Sequence, residues 1–315
     1  LMKIMKECKY HPILIIIICS NVLIAQNKDV NYDLRIKANE AYREGRIYDC
    51  VSLLNEALHK DTTDALAYFN LANAYLSVPY KERAIKNFER ALKYDPTIKD
   101  LILNQFFVYT NYESTLRKHI RIIDIILSSE TESANIKLDS FFNQDSLKIE
   151  LKNLIWDNFS IEHYVDYLIW YPTNLAQKMA GNPNAVINNS TEISNIEERI
   201  ALLKTIDEIN QISKSKIKLI NNYFKLILKS NSDDKNVNTE EIYLDTEIER
   251  LLKQQTRINL ENEYRYLSNN DLKKLIKFYK SNLGIWLNSL SIKISKDIIQ
   301  QKLNDYFLTE IAPNK

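Results

Sequence analysis

The sequence predicts an all-α protein, and three observations carry that prediction. Among 315 residues there are only three glycines and six prolines, the residues on which tight turns and strand bends depend. Apolar residues recur at three- and four-residue steps, as at Leu116, Ile120, Ile123 and Leu127, which is the period of a helix with one buried face. Two stretches also line up with each other, Ala38 on Ala72, Leu54 on Phe88 and Ala57 on Ala91. The offset, about 34 residues, suits a helical hairpin stacked on its copy. Apolar residues make up 45% of the chain, so sizeable cores can form, and the length suits about two domains of roughly 150 residues each.

The chain opens on Lys3, Lys6 and Lys9, continues through the apolar run Ile13 to Ile18, and reaches Ala25 before Gln26. That order reads as a secretory signal peptide over residues 1–25. The run is broken by Ser20 and Asn21 and is short against the ~20 apolar residues a membrane span needs. The expectation is therefore an exported protein, periplasmic or extracellular after cleavage near Ala25. The alternative is a retained N-terminal anchor, the one case in which the chain would contact a membrane. Cleavage would change the formal net charge from +1 to −1 and leave Cys50 as the one cysteine, so the mature chain would hold no internal disulfide. Near-neutral charge argues against nucleic-acid partners, which need a basic surface to displace counterions.

The repeated pattern marks two copies, residues 31–64 and 65–98. The second carries Tyr68, Leu71, Ala72, Tyr75, Ala84, Phe88, Ala91 and Pro96. The first carries Leu34, Ala38 and Ala41, then Gly45 at a turn, then Cys50, Leu54 and Ala57. Small residues let two helices approach closely and larger ones fill the gap between them. In this order and spacing the residues resemble the tetratricopeptide repeat (TPR), although Lys37 and Thr62 depart from the pattern at its Leu and Pro positions. The resemblance implies stacked helical hairpins with a groove for a protein or peptide partner. A further pair, Leu101 to Tyr112 and Ser114 to Leu127, would cap the stack and complete a TPR domain over residues 26–130.

Residues 131–315 read as a helical domain with two related units, about 136–180 and 240–312, joined by a long helical segment at 190–229 broken once near Ser213. Setting Phe159 on Leu267 pairs Ser160 with Ser268, Trp170-Tyr171 with Phe278-Tyr279, and Asn174-Leu175 with Asn282-Leu283. Each unit then has an N-cap serine, an apolar-faced helix, an aromatic pair, a break and a second helix. The later copy, with Phe278, Tyr279, Ser281 and Gly284, resembles the core of domain of unknown function 2059, with Asn282 in place of that family's proline. That resemblance implies an exported bacterial helical domain and no known reaction.

No residue stands out as catalytic, metal-ligating or cofactor-binding. His11, His59, His119 and His163 are spread along the chain, and none shares the i, i+4 spacing of a helical zinc site. Three glycines cannot build a phosphate-binding loop. Glu162-His163 reads as a solvated helix start, because adjacent helical residues point to different sides. Carboxylate pairs such as Glu197-Glu198 and Glu240-Glu241 read as wet helix faces. The aromatic cluster Trp156, Phe159, Tyr164, Tyr167, Trp170 and Tyr171 reads as core, with a carbohydrate- or cell-wall-binding platform as the alternative. The candidate peptide groove is better specified. The TPR pattern places Tyr32, Arg35, Ile36, Asn39, Tyr42 and Arg43 of the first copy, and Leu66, Phe69, Asn70, Asn73, Leu76 and Ser77 of the second, along the concave face. Among these Arg35, Asn39, Tyr42, Phe69, Asn70 and Asn73 are the residues expected to meet the partner. Arg35, Asn39 and Asn70 fall where carboxylate-clamp TPRs hold a peptide terminus, but Asp100 and Asn104 stand where the clamp's further cations belong. The function these features predict is a non-catalytic protein–protein interaction scaffold of the cell envelope, with no cofactor.

Overall fold

The computed structural model describes residues 31–78, 80–110, 144–179, 195–231, 246–299 and 301. Every regular element among them is helical, so the fold is all-α as predicted. The expected signal peptide and the helix at 114–127 lie outside the described residues, as do 181–184 and 233–238, whose composition predicts a loop and a polar turn. None of the described helices is long and apolar enough to cross a membrane. The chain divides into two units, one holding residues up to 111 together with 159–173, the other holding the rest.

The first unit starts with two hairpins: α1 (Tyr32–Arg43) with α2 (Ile47–Lys60), and α3 (Ala65–Leu76) with α4 (Lys81–Tyr94). Ile47 and Lys81, which start α2 and α4, occupy the same position of the repeated pattern. Gly45 adopts φ +75° in the first hairpin's turn, a left-handed conformation open to glycine without strain. Ala38, Ala41, Ala57, Ala72, Ala84 and Ala91 are all completely buried. They form the seams along which the helices approach, as their spacing predicts. Cys50 belongs to the same seam, and burial pushes its thiol up to about 12, so it packs as a small apolar residue. The α4 helix stops at Tyr94, before Asp95-Pro96, since proline disfavours helix in the residue before it. Next comes α5 (Ile98–Thr110), packed on α3 and α4.

The remaining piece of the first unit comes from well beyond α5 in sequence. Helix α7 (Ile161–Trp170) packs against α4 and α3. The sequence predicts this segment in the C-terminal domain with residues 136–180; the structure instead puts 159–173 with the repeats. The reason is aromatic packing. The fully buried Tyr164 ring meets Phe88 of α4 and Phe106 of α5 edge-on, and Tyr167 does the same to Phe106. Lys81 of α4 pairs with Asp166 at 2.7 Å, a partly exposed contact of modest strength. A stack of two hairpins leaves its last apolar face uncovered, and α5 and α7 together cover it.

The second unit contains α6 (Gln144–Asp157), α8 (Asn174–Met179), α9 (Ile196–Asn210), α10 (Ile212–Asn231), α11 (Thr246–Glu263), α12 (Asn269–Tyr279) and α13 (Asn282–Lys293), which runs into a π-helical turn at Ile294–Ile299. Its core is Leu203 and Ile206 of α9 against Leu260 of α11, with Tyr264, Leu267, Leu272 and Leu275. The long segment breaks at Gln211, whose φ is +52°, close to the expected Ser213. There Asp207 accepts hydrogen bonds from the Ser213 amide (2.7 Å) and hydroxyl (2.6 Å) and so starts α10.

The correspondence between the two C-terminal segments recurs in the helix starts. Helices α7 and α12 begin at Ile161 and Asn269, and α8 and α13 at Asn174 and Asn282. Ser160 and Ser268 both cap as expected, each accepting the backbone N–H three residues on. At Ser268 the carboxylate of Asp271 returns the bond to complete a capping box. At the α12–α13 elbow the Ser281 hydroxyl donates to the Phe278 carbonyl (2.6 Å) and accepts from the Gly284 amide (3.2 Å). A Cβ on Gly284 would stand 2.1 Å from that same carbonyl oxygen, so the close crossing of the two helices requires glycine.

Candidate functional site

Five of the six residues expected to line the groove are interior to the first unit. Arg35 donates to Asp64 at 2.6 Å, and both side chains are nearly inaccessible. Asp64 also accepts from the Asn31 amide at 3.0 Å and caps α3 through the Ala67 N–H at 2.9 Å. The guanidinium therefore ties the first hairpin to the start of the second. Tyr42 shares a 2.7 Å hydrogen bond with Ser77; burial lifts its phenol above the ordinary value, and Ser77 works against that. Phe69 meets Phe88 edge-on. Asn73 donates to the Phe69 carbonyl and accepts from Gln105 of α5 at 3.4 Å, and Gln105 in turn accepts from the Tyr164 hydroxyl of α7.

These polar pairs span about one repeat of sequence each: 29 residues for Arg35–Asp64, 35 for Tyr42–Ser77 and 32 for Asn73–Gln105. The groups expected to recognise a partner instead recognise the neighbouring helical layer. Asn39 shows the same logic by its failure. It lies one repeat before Asn73, and the residue one repeat before Gln105 is Leu71, which carries no polar group. The buried amide nitrogen of Asn39 has no hydrogen-bond partner among the described residues.

Accessibility is left to other positions of the same pattern. Asn70 is half-buried, as are Ile36, Leu66 and Leu76, while Tyr32, Arg43 and Ser77 are exposed. Tyr32 and Ile36 stand four residues apart on α1, and Leu66 and Asn70 four apart on α3, so each pair shares one helix face. Helices α1 and α3 pack together. The result is an open row of one aromatic–aliphatic pair on α1 and one aliphatic–amide pair on α3, with Tyr32 exposed and the other three half-buried.

The aromatic cluster divides. Tyr164 and Tyr167 are interior and offer no ring face to a sugar, while Trp156, Phe159, Trp170 and Tyr171 are half-buried. Glu162 is exposed and faces Lys81 at 3.7 Å. Among the described residues no group of three or more His, Cys, Asp or Glu side chains is placed to hold a metal ion.

The second unit contains polar anchors that the sequence reading did not single out. Arg199, 2% exposed, donates to Glu261 (2.5 Å) and to the carbonyls of Leu267 (2.8 Å) and Tyr264 (2.9 Å), holding α9 to the α11–α12 turn. Its signal was its register: Arg199, Leu203 and Ile206 recur at the spacing of one buried face. Lys178 of α8 pairs with Asp271 of α12 at 2.9 Å, largely out of solvent. Burial pushes the Asp271 carboxyl up, but Lys178 together with the Ser268 hydroxyl and amide outweighs it and holds the group below its ordinary value. Of the two carboxylates at the start of α9, Glu198 pairs with Lys273 at 2.7 Å and accepts from Asn269; Lys273 first, then Asn269, lowers its pKa. Compared with known proteins, the chain matches no family model, no curated protein and no solved structure.

Proposed function

We propose that the protein is a TPR-type interaction scaffold, without catalysis of its own, that works in the bacterial cell envelope. The observation that carries the reading is the open row Tyr32, Ile36, Leu66 and Asn70 on two packed, successive hairpins. Paired hairpins present such rows to a peptide or a helix, and a row of aromatic, aliphatic and amide groups suits a segment with an apolar side and a free backbone carbonyl. Export is supported by Lys3, Lys6 and Lys9, the apolar run Ile13 to Ile18, and Ala25 before Gln26.

The test replaces the row without touching the buried pairs. Tyr32→Ala, Leu66→Glu and Asn70→Asp together are expected to abolish cross-linked partner recovery from the native host while the far-ultraviolet helical signal is retained. Unchanged recovery rejects the row. N-terminal sequencing of the mature protein checks the compartment: a chain that begins at Gln26 supports export with cleavage, and an intact start rejects cleavage.

A further inference from the structure

A cleft of about 1110 Å³ lies between α9, α10 and α11 of the second unit. That is slightly above the usual size range of small-molecule sites, roughly 300–1,000 Å³. Its accessible apolar lining is Ile200, which is exposed, and Ile217, which is half-buried; Leu203 and Leu260 of the core lie beneath, closed to solvent.

The walls are charged, but most of their charges are already matched. Asp207 is spent on Ser213. Glu249 faces Lys253 at 3.6 Å and Glu208 faces Lys204 at 3.9 Å. Arg250 takes both carboxylate oxygens of Glu247 at 2.8 and 2.6 Å. Two cations are left without a carboxylate among the described residues, Lys214 on α10 and Arg257 on α11. An apolar lining with two unmatched cations, one on each of two neighbouring helices, suits one anionic head on an apolar body. A helix with an acidic face would need a row of free cations, and among the described residues the walls have two.

We infer that this cleft binds a single-chain amphiphilic carboxylate, such as a fatty acid, with its tail on Ile200 and Ile217 and its head between Lys214 and Arg257. The guanidinium offers a carboxylate two parallel donors, and the lysine adds a point charge on a flexible stem. The inference rests on the second unit alone and is independent of the partner row on the first.

The experiment titrates the full chain with cis-parinaric acid and, separately, with its uncharged methyl ester, following probe fluorescence. The acid is expected to saturate at one molecule per chain. In the Lys214→Gln/Arg257→Gln variant its affinity should fall about tenfold or more, a loss of about 1.4 kcal/mol per decade, while the ester should bind both proteins equally. Both positions are solvent-exposed, so the variant is expected to fold, with helical content as the check. Absence of saturation, an unchanged affinity of the variant for the acid, or an equal loss for the ester would each overturn the proposal. So would displacement of the acid by a glutamate-faced helical peptide at lower concentration than by oleate.

Discussion

Gly284 and Asp271 show how much single residues decide in the second unit. At Gly284 the neighbour that a methyl group would strike is backbone, the Phe278 carbonyl, which cannot swing aside as a side chain can. Gly284→Ala is therefore expected to destabilise the protein by about 1–3 kcal/mol, the usual range for overpacking, read as a lower urea midpoint. Asp271 governs a pH dependence. Its folded value lies below the ordinary 3.8, so its contribution is fully present above that pH and is lost as the pH falls below 3.8 through the folded value. Asp271→Asn should flatten the acid limb of a stability-versus-pH curve; an acid limb identical to wild type would show that other carboxylates govern it. Residue-scale facts were legible where the cause is local. Ser160 and Ser268 announce themselves as caps, and the buried alanines by their spacing. The register of Arg199 announces its burial but not its partners, which lie 62–68 residues away.

At the scale of the element, α7 is the revealing case. Its sequence shows an amphipathic helix with an N-cap, and the structure has that helix. What it packs against is a separate question, settled by Phe88, Phe106 and Gln105 far upstream. Local periodicity identifies a buried face but not its partner, so the sequence alone groups the segment with the C-terminal units. Tyr164→Ala should cost about 3–5 kcal/mol, the range for truncating a buried large aromatic. Hydrogen exchange locates the effect: faster exchange is expected in α3 and α4, with α11 and α12 unchanged. The reverse pattern would assign α7 to the second unit. The candidate groove has the same lesson in it. The repeated pattern singles out Arg35, Asn39, Tyr42, Phe69, Asn70 and Asn73. It does not say which of them turn inward to the next layer: Asn39 is buried with no polar group one repeat away to meet its amide nitrogen, and Asn70 beside the buried Phe69 stays half-buried.

For the whole molecule, the order of the chain and the order of the structure differ. The first unit is built from 31–110 and then from 159–173, with α6 of the second unit between them in sequence. A chain cut after Thr110 should bind anilinonaphthalene sulfonate strongly and show little amide protection in α3 and α4, because Phe88 and Phe106 lose the Tyr164 ring. A chain cut after Thr173 should recover that protection. Equal protection in the two would mean that α5 suffices as a cover.

This interleaving bears on synthesis. The ribosome must travel from Thr110 to Thr173 before the lid exists. At roughly 5–20 residues per second the nascent repeats wait about 3–13 s for it. For that interval Phe88 and Phe106 are sticky. A holdase that recognises aromatic surface has its longest opportunity there, and translation speed through residues 111–173 becomes a determinant of yield.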